Sequence, residues 1–269
     1  MRWAQAINFA LEAIQYGDDS SGEFGARIDE SLNLVAEAVS LGAEVWKKEQ
    51  YEQAYALIIK EAQNPELDGW SDWQIEIMGT CINLCDDDEI EQQFLALLQS
   101  LERPNNDNWS NEYFNKQLRE LHFQLISFKS TDEELEQFLA QNLGDDNMRK
   151  RVIESALTQQ DYEKVLQLAT DGIQHDKERP GLVSNWTRYV YTAHKGLGNV
   201  AQIKELSLQL VIGGDYEYYE DVKKLHTTEW PTTLEKLLTD LNKKSSHLYA
   251  QIIVEEGQYK RILDYCKAQ

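Results

Sequence analysis

The sequence is poor in residues that crosslink or interrupt a chain, with three cysteines and four prolines in 269 residues. Cys81, Cys85 and Cys266 cannot all pair within one chain, which predicts a reduced, cytoplasmic compartment. No run approaches the roughly 18 uninterrupted apolar residues of a membrane span. The opening MRWAQAINFALEAI carries polar residues where a secretory signal would be apolar. We therefore expect neither export nor membrane insertion.

Motifs of catalytic and cofactor-binding sites are also missing. The sequence has no Walker loop, no dinucleotide glycine fingerprint and no Gly-x-Ser-x-Gly elbow. Its five histidines are scattered, and none lies three or four residues from another, so no zinc site is indicated. We expect no metal, no cofactor and no enzymatic activity. An active site assembled in a groove from distant residues remains an alternative.

Basic residues are scarce, and the deficit is uneven. The formal net charge is −21. Residues 1–109 contain 6 Lys+Arg and 22 Asp+Glu, whereas residues 110–269 contain 20 and 25. Such acidity repels phosphate backbones and anionic lipids, so we expect no direct nucleic-acid partner and no membrane partner. The change in balance coincides with a turn-like run at Arg103–Asn108 and predicts an acidic first part, 1–109, continuous with a second part, 110–269.

Apolar residues recur at helical spacing along the chain and predict an all-α protein. The turn Gln160-Asp161-Tyr162 returns as Gly198-Asn199-Val200, and each turn precedes apolar residues at +3 and +6. These positions lie on one helical stripe. The corresponding anchors are 38, 31 and 28 residues apart, at Tyr162, Val200, Pro231 and Tyr259. The pattern predicts one leading helix and about seven helical hairpins, stacked as an α-α superhelix or solenoid.

Three acidic segments have a structural and a metal-binding interpretation. Asp86-Asp87-Asp88 is typical of a helix N-terminus, and a magnesium or calcium ligand set is the alternative. Asp18, Ser20 and Asp29 have partial calcium-loop spacing, but Glu23 replaces the glycine such a loop requires. A polar interhelical loop is therefore favoured. Ser130 and Glu133 have the spacing of a capping box.

The run QQDYEKVLQLATDGI, followed by GLGNVAQIKEL, resembles the junction between the two helices of a tetratricopeptide repeat, Gly-Asp/Asn-Tyr-x-x-Ala. Val165 and Ile203 replace the small residue of that junction. The stretch Asp161–Cys266, with WPTTLEKLL and EEGQYKRILDYC, is similar to helical regions that accompany bacterial SWIM zinc-finger proteins. The zinc motif of that family, Cys-x-Cys followed by Cys-x-His, is absent. The resemblance covers about the last hundred residues and implies helical repeats rather than an activity. We predict tetratricopeptide-like hairpins over 110–269.

In tetratricopeptide-type solenoids the first helix of each pair lines the concave side. Here those helices carry much of the basic charge of the second part, which predicts a strip for an acidic peptide, made of Arg149, Arg151, Asn185, Arg188, Thr192, Lys195 and Lys223. Solvated surface charge is the alternative. The expected function is a scaffold or adaptor that binds a protein or peptide on its concave face. A second alternative is an acidic regulatory partner of a nucleic-acid or zinc-finger system.

Overall fold

The chain is all-helical in the computed structural model, which describes residues 2–104, 108–244 and 246–268. Within these ranges 82% of the chain is helix and no strand occurs, which confirms the all-α prediction. The α-helices are α1 Arg2–Tyr16, α2 Glu23–Ala43, α3 Lys48–Ala62, α4 Ser71–Gly79, α5 Asp88–Ser100, α6 Trp109–Lys129, α7 Asp132–Gln141, α8 Asp146–Thr158, α9 Tyr162–His175, α10 Pro180–Leu197, α11 Val200–Gly213, α12 Tyr219–Leu225, α13 Trp230–Lys244, α14 Ser246–Glu255 and α15 Tyr259–Ala268.

The chain forms two compact units, Met1–Phe138 and Leu139–Gln269. In the first unit, α1 to α6 share one core, in which Phe94 of α5 and Phe114 of α6 are fully buried. Helix α6 packs on α4 and α5, although it follows the change in charge balance. Charge balance is a surface property, whereas packing follows apolar faces. The division at residues 109 and 110 remains a prediction, and residues 105–107 of the turn-like run lie outside the described ranges.

The acidic run Asp86-Asp87-Asp88 caps α5 and contacts the end of α6. Asp87 Oδ1 accepts hydrogen bonds from the backbone N–H groups of Glu89 and Ile90, at 3.0 and 3.2 Å. Asp88 faces the end of α6, where Lys129 Nζ lies 2.6 Å from its carboxylate. The capping interpretation of the run is therefore confirmed at Asp87, and its neighbour anchors a lysine.

In the loop before α2, aspartates also accept hydrogen bonds from backbone N–H groups. Asp19 accepts hydrogen bonds from the N–H groups of Phe24 and Gly25, at 2.9 and 3.3 Å. Asp18 accepts one from the N–H of Ser20, at 2.9 Å. Both carboxylates thus bond to nearby backbone, as expected of a polar interhelical loop.

The capping box that opens α7 lies one residue later than predicted. Glu134 Oε2 accepts from the N–H of Thr131 at 2.9 Å, and the N–H of Glu134 donates to Thr131 Oγ1 at 3.3 Å. Ser130 is instead the C-cap of α6, directly after its last residue, Lys129. The prediction of Ser130 and Glu133 was wrong because α6 continues to Lys129, which moves the start of α7 by one position.

Three turns in the second unit share one backbone geometry. Gln160, Gly198 and Gly257 have left-handed φ angles of 58°, 71° and 61°. The N–H of the following residue donates in each case to the carbonyl five residues earlier, with N–O distances of 2.9 Å at Asp161, 3.0 Å at Asn199 and 2.8 Å at Gln258. This bond satisfies a carbonyl that a helix end would otherwise leave free. The same turn therefore joins α8 to α9, α10 to α11 and α14 to α15.

The apolar stripe that follows these turns begins later than predicted. Val165 is fully buried and Ile203 is 9% exposed, but Val200 and Tyr259 are 60% and 79% exposed. A helical side chain points toward the N-terminus of its helix, so a residue in the first position projects toward the turn. The prediction was thus wrong for the first stripe position of α11 and of α15.

Helices α9 and α10 approach closely because glycines on them accept aromatic rings. A Cβ at Gly172 of α9 would lie 2.9 Å from the Trp186 ring. A Cβ at Gly196 of α10 would lie 2.5 Å from the ring of Tyr162. Trp186 is 2% exposed, so its ring has no room to withdraw into solvent.

We predict that Gly172→Ala lowers the free energy of unfolding by about 1–3 kcal/mol, because overpacking against Trp186 outweighs the helical preference of alanine. Urea unfolding measures the effect. Gly181→Ala on α10 is the matched control, since nothing lies within 4 Å of its added Cβ, and it should be neutral or slightly stabilising. Equal stability of the two variants would contradict the close approach.

Candidate functional site

The seven residues predicted to form a partner-binding strip lie on three helices of the second unit. Arg149 and Arg151 are on α8, Lys223 is on α12, and α10 carries Asn185, Arg188, Thr192 and Lys195. Their environments differ from those of a solvated basic strip.

Arg149 is a core residue. Only 5% of it is exposed, and its Nη1 lies 3.6 Å from Asp176 Oδ2. Its guanidinium carbon is 5.6 Å from the ring centroid of Trp186. Trp186 Nε1 donates to the same Asp176 oxygen at 2.7 Å. The expectation that Arg149 contacts a partner on the surface is therefore corrected: its charge compensates a buried carboxylate. Arg151 is half-buried.

Arg188 is held by the carboxylate that follows α11. Its Nε and Nη2 donate to the two carboxylate oxygens of Asp215, at 2.9 and 2.6 Å. Its Nη1 donates to Asn185 Oδ1 at 2.8 Å, and its carbonyl accepts from Thr192 Oγ1 at 2.9 Å. This two-point contact fixes the plane of the guanidinium and neutralises its charge.

Lys195 is paired in a similar way across to α12. Its Nζ lies 3.2 Å from Asp221 Oδ2, and the Tyr191 hydroxyl donates to the same oxygen. The hydrogen bond from Tyr191, with that from Lys195, holds the pKa of Asp221 below its ordinary value although burial opposes this. The carboxylate therefore stays ionised and keeps its lysine partner.

Lys223 lies within an aromatic cluster. Its Nζ is 2.7 Å from Glu256 Oε1, 5.5 Å from the ring centroid of Tyr219 and 5.8 Å from that of Trp230. The Tyr219 hydroxyl and Trp230 Nε1 also donate to Glu256, at 2.9 and 3.2 Å. Burial alone would raise the pKa of Glu256, but hydrogen bonds from Lys223, Tyr219 and Trp230 outweigh it, so the pKa is lowered.

Four of the five basic residues of the predicted strip are thus paired with carboxylates of the chain itself: Arg149, Arg188, Lys195 and Lys223. Sequence reasoning missed Asp215, Asp221 and Glu256, because they are 26 to 33 residues away from the cations they contact. No sequence spacing predicts such pairs, since side-chain rules extend over one helical turn only.

Three of the seven residues border a groove of about 470 Å³ between α8 and α10. One wall is α8, which contributes Asp146, Asn147 and Lys150. The other is α10, which contributes the predicted Asn185, Arg188 and Thr192 together with Leu182, Trp186 and Tyr189. The Tyr189 hydroxyl donates across to Glu154 Oε1 of α8, at 3.2 Å. The groove therefore combines an aromatic surface with amide and guanidinium donors that are held in place.

Two further findings concern cofactors and membranes. Within the described ranges, histidine, cysteine and carboxylate side chains nowhere gather in the groups of three or more that could hold a metal ion. Among the same residues, no helix has both the length and the apolar character to cross a membrane. Comparison of the chain with family models, with curated proteins and with solved structures finds no match in any of the three.

The raised pKa values of four tyrosines in the second unit predict that the protein loses stability at alkaline pH. Burial is the main cause that raises the pKa of Tyr189 and of Tyr218 to about 12; it also raises the pKa values of Tyr191 and Tyr219. In the unfolded chain these groups ionise near pH 10. Between about pH 10 and 12 the unfolded state therefore loses protons that the folded state keeps, and the free energy of unfolding falls as pH rises.

Urea unfolding at increasing pH, with tyrosinate absorbance recorded in parallel, tests this prediction. Tyr189→Phe and Tyr218→Phe should each lessen the decline above about pH 10. Full tyrosinate absorbance at that pH in a chain that is still folded would contradict it.

Proposed function

We propose that the second unit is a tetratricopeptide-like array of helical hairpins that binds an extended polypeptide segment in the groove between α8 and α10. The array is supported by the turn geometry that recurs at Gln160, Gly198 and Gly257. The binding site is supported by the position of the groove, which lies between helices that open two successive hairpins. The resemblance to helical regions of SWIM-associated proteins and the cytoplasmic location stay predictions.

One observation carries the proposal: the groove presents oriented hydrogen-bonding groups beside an aromatic surface. Arg188 is fixed by Asp215 and Asn185 before any partner arrives. Donors that are already ordered lose less conformational entropy on binding. The ring of Tyr189 offers apolar area to a side chain, and the amides of Asn147 and Asn185 suit backbone carbonyl and N–H groups.

The ion pairs favour a polar segment of low net charge over an acidic one. An acidic peptide must compete with Asp215 for Arg188 and with Asp221 for Lys195. A peptide that bonds through its backbone leaves both pairs intact. We therefore propose a partner recognised by backbone hydrogen bonds and one apolar side chain. The enzyme and the acidic regulatory protein remain alternatives without a specific supporting contact.

Selection of linear peptides from a random displayed library tests this function. We predict that the chain enriches peptides with a shared pattern, and that Asn185→Trp weakens their binding at least about tenfold by filling the groove with an indole. Asn185 is exposed, so the urea unfolding curve should hardly change. Gln202→Trp on α11, also exposed and outside the groove, is the matched control and should bind as the parent does.

The outcome also distinguishes the two partner classes. Acidic peptides whose affinity falls steeply with salt would restore the original acidic expectation, because ion pairs with solvent-exposed groups are screened. Peptides that bind the Asn185→Trp variant and the parent equally would remove this groove as the binding site.

A further inference from the structure

A second groove lies in the first unit, between α2 and α3. It has a volume of about 390 Å³ and is lined mainly by apolar side chains. Leu34 of α2 and Leu57 of α3 line it, although they are 64% and 49% exposed. Ala38, Ala54 and Trp3 of α1 line it as well. Leucines in these positions leave apolar area in contact with water, and a partner that covered them would gain free energy.

Contacts within the chain hold Trp46 at the groove. Trp46, which lines it, lies so close to α2 that a Cβ at Gly42 would be 2.2 Å from its ring. The Tyr51 ring contacts Trp46 edge-on, with centroids 6.2 Å apart. The Tyr51 hydroxyl also donates to the backbone carbonyl of Ala43. These contacts fix the Trp46 ring as part of the groove wall.

Two helices that flank an apolar groove with small residues inside favour another helix as the occupant. An amphipathic helix presents apolar side chains at i, i+3 or i+4, and i+7, and such a row fits between two helical ridges. Ala38 and Ala54 leave space into which those side chains could insert. An extended peptide would instead leave its own backbone groups facing apolar walls, which is costly.

The charge around the groove indicates the polar face of that helix. Four carboxylates lie between Ile28 and Trp46, of which Glu30 pairs with Arg27 and Asp29 accepts from Trp73, and Lys47 and Lys48 follow Trp46. Within the described ranges, Glu37 and Glu44 have no ion-pair partner. The α3 side contributes the uncharged amides of Gln50 and Gln53. A partner with lysine or arginine toward α2 is therefore complementary, whereas a second copy of this chain would bring a like-charged edge.

We propose that the groove between α2 and α3 binds an amphipathic helix of another protein, with an apolar stripe in the groove and basic residues along α2. This groove would be a second interaction site. The proposal for it does not depend on the proposal for the groove between α8 and α10. Each site lies within its own unit, so the failure of one leaves the other untouched.

Three synthetic peptides test the proposal by fluorescence anisotropy on the full chain. The first forms an amphipathic helix with leucines on one face and lysines on the other. In the second, glutamates replace the lysines. In the third, the composition of the first is scrambled so that the leucines no longer form a stripe. We expect the first peptide to bind at least about tenfold more tightly than either of the others.

Variants of the chain locate the site. Leu34→Gln combined with Leu57→Gln should weaken binding of the first peptide at least about tenfold. Leu263→Gln is the matched control, because Leu263 of α15 is a 61% exposed leucine in the other unit. Glu37→Gln with Glu44→Gln should weaken binding and make it less sensitive to salt. All replaced residues are exposed, so urea unfolding should confirm intact folding.

Three results would overturn the proposal. The scrambled or glutamate peptide could bind as tightly as the first. The double leucine variant could bind unchanged. Finally, sedimentation could show a dimer that the double leucine variant dissociates, which would assign the groove to a second copy of the chain.

Discussion

The second unit depends on a buried carboxylate, that of Asp176, and on the indole that donates to it. Asp176 is 4% exposed, and Trp186 Nε1 and His175 Nδ1 lie within hydrogen-bonding distance of its oxygens. Arg149 supplies the compensating charge, since an unpaired carboxylate would be costly to bury. The Trp186 ring lies against Gly172 of α9. The contacts among Arg149, Asp176 and Trp186 therefore join α8, α9 and α10. The two helices that form the walls of the α8–α10 groove are therefore connected inside the core through Asp176.

Surface cations of both units have carboxylate partners in the same chain, for example Lys129 in the first unit and Arg188 in the second. In the second unit, Arg188, Lys195 and Lys223 all have carboxylate partners from the same chain. Such pairs add little to stability when exposed, but they fix side-chain orientation and lower the attraction for anions. In the first unit, the edge of α2 keeps carboxylates without partners within the described ranges. For the helix that we propose to bind between α2 and α3, these carboxylates would favour a basic partner over an acidic one.

Sequence periodicity predicted the helices well and their ends less well. The turn Gly198-Asn199-Val200 was expected to precede a helical stripe, and α11 begins at Val200. Local rules also identified the run Asp86-Asp87-Asp88 as a helix N-terminus, and Asp87 is the cap, because a cap depends on neighbours within one turn. They failed by one residue at α7, since the end of α6 at Lys129 moved the cap from Ser130 to Thr131. Packing decides where one helix stops and the next begins.

The sequence by itself determined which residues share a helix and which face of it is apolar, because both follow from the period of 3.6 residues. It placed Asn185, Arg188 and Thr192 on one helix, and they do border one groove. Only the tertiary structure decided that Arg149 is buried and that Arg188 meets Asp215, 27 residues away. The sequence shows which residues carry a positive charge. Whether that charge is available to a partner depends on the carboxylates that helix packing places beside it.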